Sequence, residues 1–269
     1  MWKTILSACA LFTMLVISAS AHDLFLKLDA YFLQPNSKAT VRLMNGTFQS
    51  SDGKVARDRV RDVTVVTPDH KIVHPESSAF RDEGEVTLLD LETSGAGTYL
   101  VGLSTKPKEI DLKAADFNDY LKHDGIPDIL DRRAKRGEMG KDVRERYSKH
   151  VKALLQVGDA RTDSFKIPLN YPLEIIPQQN PYSLKVGETL EVQCLKDGKP
   201  IDNQFVIAGF ESGSRMSPEV HMRTDKNGKA RFNLKSAGKW YVKLIHMEPL
   251  EDPNLNYESK WATLTFELR

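Results

Sequence analysis

The residues best suited to metal chemistry are histidines, and the first of them is His22. It follows Ala19-Ser20-Ala21, small residues that close an N-terminal stretch built from Met1-Trp2-Lys3 and an apolar run over residues 5–17. This order is that of a cleavable secretory signal, and the run is shorter than the roughly 20 residues a membrane-spanning helix needs. Cleavage after Ala21 would free the α-amino group of His22. An N-terminal histidine offers amine and imidazole nitrogens to one metal ion, and an amine with a pKa of about 7.7–8.0 yields its proton to a metal near neutral pH. Nitrogen donors of this kind suit Cu(II) or Ni(II).

A fuller site needs a second imidazole. His246 ends an alternating run in which Trp240, Val242, Leu244 and His246 share one strand face, and it is the expected partner of His22. His221 is a weaker candidate. Met222 and Met247 follow these two histidines and could add soft sulfur, although neighbours in a strand point to opposite faces. His70 and His74 are flanked by Pro68 and Pro75, which predicts a hairpin and not the helix that would make His-x-x-x-His a metal pair. The sequence lacks a G-x-S-x-G elbow, a phosphate-binding glycine loop and H-E-x-x-H, so no catalytic residue is assigned. Cys9 leaves with the signal, and Cys194 lies in an apolar strand as a buried thiol.

Positioning such residues falls to a mainly β chain. From residue 22 to about 107, short alternating stretches are separated by turns such as Asn45-Gly46, which predicts a β-sandwich. Residues 108–158 carry a helical, highly charged pattern. Phe117, Tyr120 and Leu121 make one apolar stripe; Ile126, Ile129 and Leu130 a second; Val143, Tyr147, Val151 and Leu154 a third. From 159 to 269 about seven strands return, with Asp225-Lys226-Asn227-Gly228 as a strong turn, which predicts a second, immunoglobulin-like sandwich. The stretch Leu91-Glu92-Thr93-Ser94-Gly95-Ala96-Gly97-Thr98-Tyr99 resembles Leu234-Lys235-Ser236-Ala237-Gly238-Lys239-Trp240. Each is a strand, a glycine corner and an aromatic entering the next strand, so the two sandwiches are expected to be related tandem units.

The chain has 38 basic and 37 acidic side chains. Near-neutral balance gives no case for nucleic acid or an anionic membrane surface as partner. Removal of the signal leaves no apolar stretch long enough to span a membrane. The absence of a cysteine pair fits the periplasm, and the expected location is periplasmic or secreted. Tyr171, Tyr182, Trp240, Tyr241, Tyr257 and Trp261 crowd into the C-terminal half. They either build its core or, if exposed, form stacking platforms of a metal-free carbohydrate- or protein-binding module. A copper oxidative enzyme on a histidine brace is a further alternative, needing an open coordination position.

Several stretches carry a family resemblance. They are the start Ala21-His22-Asp23-Leu24-Phe25-Leu26, the segment Arg144-Glu145-Arg146-Tyr147-Ser148-Lys149-His150, the link Pro172-Leu173-Glu174-Ile175-Ile176-Pro177, and the later His246-Met247-Glu248 and Trp261-Ala262-Thr263-Leu264. Together they resemble the DUF4198 family of exported bacterial proteins, some described as periplasmic components of nickel uptake (NikM-like). The resemblance implies an exported β-rich binding protein, a nickel or copper ion as ligand, a membrane transporter as partner, and His22 and His246 as the leading metal ligands.

Overall fold

The computed structural model describes residues 22–269; the expected signal peptide over residues 1–21 lies outside the described residues. The chain is mainly β. Its first part runs β1 (Asp23–Leu28), β2 (Phe32–Leu33), β3 (Lys38–Gly46), β4 (Val60–Val66), β5 (Ile72–Val73), β6 (Phe80–Glu83), β7 (Val86–Glu92), β8 (Gly97–Thr105) and β9 (Lys108–Leu112). Two helices, α1 (Ala114–His123) and α2 (Pro127–Lys135), lead into the long β10 (Val143–Val157). Then come β11 (Leu173–Pro177), β12 (Thr189–Lys196), β13 (Lys199–Pro200), β14 (Phe205–Ser212), β15 (Arg215–Met216), β16 (Val220–Arg223), β17 (Lys229–Asn233), β18 (Gly238–Asp252) and β19 (Leu255–Leu268).

An 11-stranded central sheet runs through both halves, with the order β14-β18-β19-β10-β8-β4 at its heart. One four-stranded sheet, β1-β3-β7-β6, and a second, containing β11, β12, β13 and β17, pack against it. The strand order of the first half repeats in the second. Outer strands β1, β3 and β7 correspond to β11, β12 and β17, and inner strands β4, β8 and β10 to β14, β18 and β19. The halves meet where β10 and β19 pair in parallel, from Glu145 opposite Tyr257 to Ala153 opposite Thr265. The two outer sheets cover opposite sides of the central sheet. The cores show this: Val151, Ala153, Leu155 and Val157 pack with Leu24, Leu26 and Val41, whereas Leu154 packs with Ile175, Val192, Leu264 and Phe266.

The sequence repeat marks equivalent corners. Gly97 has φ +145° and Gly238 φ +140°, values that exclude a comfortable Cβ. Beside the first, Tyr99 Oη accepts the Ser94 amide and donates to Gly95 O, each at 3.0 Å. Beside the second, Trp240 Nε1 donates to Ser236 O at 3.0 Å.

One expectation is corrected. The third apolar stripe, Val143 to Leu154, is no helix but the first four-fifths of β10 in the middle of the sheet. The polar residues Lys149, His150, Lys152 and Gln156 are buried along this strand, which hides the two-residue period. The other two stripes do form α1 and α2. They pack on Ile245, Met247, Tyr257 and Trp261. That is also the face covered by β1, because Thr263 Oγ1 and Thr265 Oγ1, in step with Trp261, donate to Leu24 O and Leu26 O. A gap between the start of β1 and the end of α1 opens there over the sheet.

Candidate functional site

His22 stands at this gap. Backbone pairing of β1 with β3 places Asp23 opposite Gly46, so the residue before β1 emerges beside the Asn45–Asp52 loop. Nδ1 of His22 lies 3.2 Å from Asp52 Oδ2, and both side chains are part-exposed. The carbonyl oxygen of His22 accepts a hydrogen bond from Nζ of Lys149, which also donates to Asn45 Oδ1 at 3.2 Å. Lys149 comes up from β10 and is buried beside Trp261, its Nζ 5.6 Å from that ring's centroid. Burial pushes its ammonium down, to about 8, against the pull of Asp23.

Behind His22 lies a cleft of about 460 Å³ lined by charge on one side and rings on the other. Its floor is β18. Lys243 Nζ lies 2.7 Å from Asp23 Oδ2 and 3.7 Å from Glu219 Oε1, and Tyr241 Oη donates to Glu219 Oε1 at 2.7 Å. Burial alone would lower Lys243, but the Asp23 and Glu219 carboxylates hold it above the usual lysine value. Asp124, which closes α1, faces the same space. Burial, with Asp23 next, pushes its carboxyl up to about 7. The apolar wall is Phe25, Phe48 and Tyr241, whose ring centroids are 5.0–5.3 Å apart. Deeper in, Glu145 is fully buried and held up to about 7 by desolvation, though Ser259 and Tyr120 donate to it.

The structure does not bring His22 and His246 together. His246 alternates with Leu244 and Val242 toward the β11–β12 side of the sheet, while Lys243, beside Asp23, faces the other way. Nδ1 of His246 lies 2.8 Å from Gln204 Oε1 and Nε2 3.2 Å from Glu248 Oε1, with Glu248 also held by Lys196. A one-residue step along a strand reverses the face, and the sequence alone could not say on which side β1 would lie. Met247, for the same reason, points toward the helices and is buried there. His221 comes nearer. Its Nε2 is 3.7 Å from Glu219 Oε2, at the rim of the His22 cleft, and its ring packs on Phe205 with centroids 5.2 Å apart. Met222 is exposed on the edge strand β16.

Among the described residues, no three His, Cys, Asp or Glu side chains converge to hold a metal ion. The residues that the sequence reading missed, Asp52, Asp124, Lys149, Glu219 and Lys243, come from five distant segments. Only the alternation of Tyr241 and Lys243 against Trp240 and Val242 could have hinted that β18 has a polar inner face. Tyr171, Tyr182, Trp240, Tyr241, Tyr257 and Trp261 are all buried, so they form core and not stacking platforms. Among the described residues Cys194 is buried and unpaired, its thiol pushed up by desolvation. No described helix is long and apolar enough to cross a membrane.

No curated protein matches the chain. Among solved structures, the chain is similar to the D0-D1 domain of intimin, with 13% identity and a TM-score of 0.22 over 91% of this chain and 97% of that one. It is also similar to a DUF4785 family protein from Legionella pneumophila (9% identity, TM-score 0.25, 81% of this chain and 50% of that one). A third likeness is to the Escherichia coli adhesin FdeC, at 12% identity and TM-score 0.23, over 91% of this chain and 65% of that one. The model of a domain of unknown function, DUF4198, matches residues 19–248, and the chain belongs to that family.

Proposed function

We propose that the mature chain is an exported, periplasmic protein that binds a divalent transition-metal ion at the His22 end of β1. The two structural halves are read as related tandem immunoglobulin-like units that hold this end rigidly. One observation carries the reading: the ring nitrogen of His22 that can close a chelate with its own α-amine, Nδ1, stands 3.2 Å from the Asp52 carboxylate. Signal cleavage would complete the set, giving amine, imidazole and carboxylate from two residues. A donor set of two nitrogens and one oxygen suits nickel, cobalt or copper, and affinity order favours copper. His246 is left out of the set, and His221 is at most an outer neighbour through Glu219. A role beside a membrane transporter in metal uptake is the use this reading suggests.

The donor set fits such an ion without a third side chain, because one N-terminal histidine counts twice. The Asp52 carboxylate beside the ring favours a cation electrostatically. The test is calorimetry with Cu(II) and Ni(II) on chain beginning at His22 and on chain carrying one extra alanine ahead of it. The chelate predicts binding by the first and a loss of at least about a hundredfold, about 2.7 kcal/mol, in the second. Equal affinity, or no binding by the first, refutes it.

A further inference from the structure

On the other side of the His22 backbone lies a second, smaller pocket of about 160 Å³. Its polar lining is Lys54, Arg59, Lys108 and Lys149, with Asn45 and Thr105, and no carboxylate is among the described lining residues. Lys149 is nine-tenths buried. Arg59 and Lys149 share one ring: the Arg59 guanidinium carbon lies 5.1 Å and Lys149 Nζ 5.8 Å from the centroid of Tyr147. Nε of Arg59 is buried and has no hydrogen-bond partner among the described residues. The lysine's hydrogen bonds go to neutral oxygens, His22 O and Asn45 Oδ1.

A buried guanidinium N–H left without an acceptor is costly, and like charges gathered around one ring repel. An acceptor-rich anion in the space relieves that repulsion. The volume is enough for a tetrahedral oxyanion. Guanidinium and ammonium donors set at different angles suit such an anion. We propose that this pocket is a binding site for a phosphate- or sulfate-type oxyanion, held by Arg59 and Lys149 with Lys54 and Lys108 at the mouth. Lys149 donates to Asn45 Oδ1, and Asn45 lines the same pocket. The proposal stands independently of metal binding at His22.

The experiment titrates metal-free mature protein with inorganic phosphate and with sulfate, following heat and thermal midpoint. Saturable binding is expected, weakening with added sodium chloride. Arg59→Gln should lose at least about tenfold in affinity, about 1.4 kcal/mol. Lys108→Gln, at an exposed position, should weaken binding less while leaving the fold intact, and it secures the test if Arg59→Gln fails to fold. The same variants are sedimented with phosphatidylglycerol and phosphatidylcholine vesicles. Phosphate binding with no vesicle binding assigns the site to a free anion. Vesicle binding that free phosphate competes away assigns it to a lipid phosphate. No saturable binding of either anion, or equal affinity in wild type, Arg59→Gln and Lys108→Gln, overturns the proposal.

Discussion

Lys243 and Asp23 form an ion pair of 2.7 Å in which the lysine side chain is 9% and the aspartate 10% exposed. The pair ties the first residue of β1 to the middle of β18, across 220 residues of chain. It fixes the floor of the cleft and the direction in which His22 emerges. Removing the lysine would leave Asp23 and Glu219 facing one another in a desolvated space. Lys243→Met should therefore cost about 3–5 kcal/mol. Asp23→Asn should cost less, because Lys243 keeps Glu219 at 3.7 Å. Urea unfolding of the two variants checks the order, and a larger loss for Asp23→Asn would contradict it.

His150 is buried in β10 between two hydroxyls, with Ser104 Oγ 2.9 Å from Nδ1 and Ser148 Oγ 3.0 Å from Nε2. Burial, with the charges of Lys260 and Arg61 behind it, pushes the ring down from 6.5 to about 3. The folded state then binds fewer protons than the unfolded state between those two values. Stability should be flat in this group's contribution above pH 6.5 and fall as pH drops through the window toward 3. The ring should stay neutral at pH 5 by nitrogen chemical shift. A His150→Gln chain should show a shallower acid slope over the same range.

Glu145 carries the opposite sign. Its folded value is raised from 4.5 to about 7 by burial, so the folded state binds the extra proton and stability falls as pH rises between the two. Above pH 7 the side chain must ionise in place, with Oε2 lacking a partner among the described residues. Glu145→Gln keeps an acceptor for Ser259 and removes the charge. The variant should gain about 1–3 kcal/mol over wild type at pH 8 and little at pH 4. Chemical denaturation at the two pH values reads this directly.

Much of the β architecture is written in the chain as alternation. The strands at β1, β3, β8, β12 and β18 follow runs such as Leu24, Leu26 and Leu28, with turns at Asn45-Gly46 and Asp225-Lys226-Asn227-Gly228. β10 was not legible, because Val143, Tyr147, Val151 and Leu154 fall at helical spacing while its true inward set, Val151, Ala153, Leu155 and Val157, is interleaved with buried Lys149 and Lys152. Those charges are tolerated only because tertiary partners meet them, as Glu174 meets Lys152, and partners from other segments leave no local signal. The same limit applies to the site. His22 is legible from the residues before it. Asp52 and Lys149 reach it through strand pairing, and which face of β18 it would meet depends on a register that composition does not encode.

The glycine corners test the repeat. Gly238 leaves β17 for β18 at φ +140°, and a Cβ there would stand 2.3 Å from Glu211 O. Gly97 makes the equivalent turn, where a Cβ would meet Pro68 at 2.4 Å. Backbone oxygen cannot yield as a proline ring can. Gly238→Ala should therefore destabilise by about 2 kcal/mol or more, and Gly97→Ala by a similar or smaller amount. Thermal unfolding of the pair decides whether both corners carry strain or only one.

The face on which each histidine lies gives the sharpest expectation for metal binding. His246 is held by Gln204 and Glu248 on the β11–β12 side, and the proposed chelate at His22 does not use it. In mature protein, His246→Gln should leave Cu(II) affinity within about twofold of wild type. Asp52→Asn removes the oxygen donor beside Nδ1 and should weaken binding by about tenfold, about 1.4 kcal/mol. His22→Ala keeps an α-amine but loses the ring, and should fall further than Asp52→Asn. The order His22, then Asp52, then His246 follows from one sheet separating two rings that the sequence had placed together. A loss at His246 equal to that at Asp52 would mean that the ion sits on the other face.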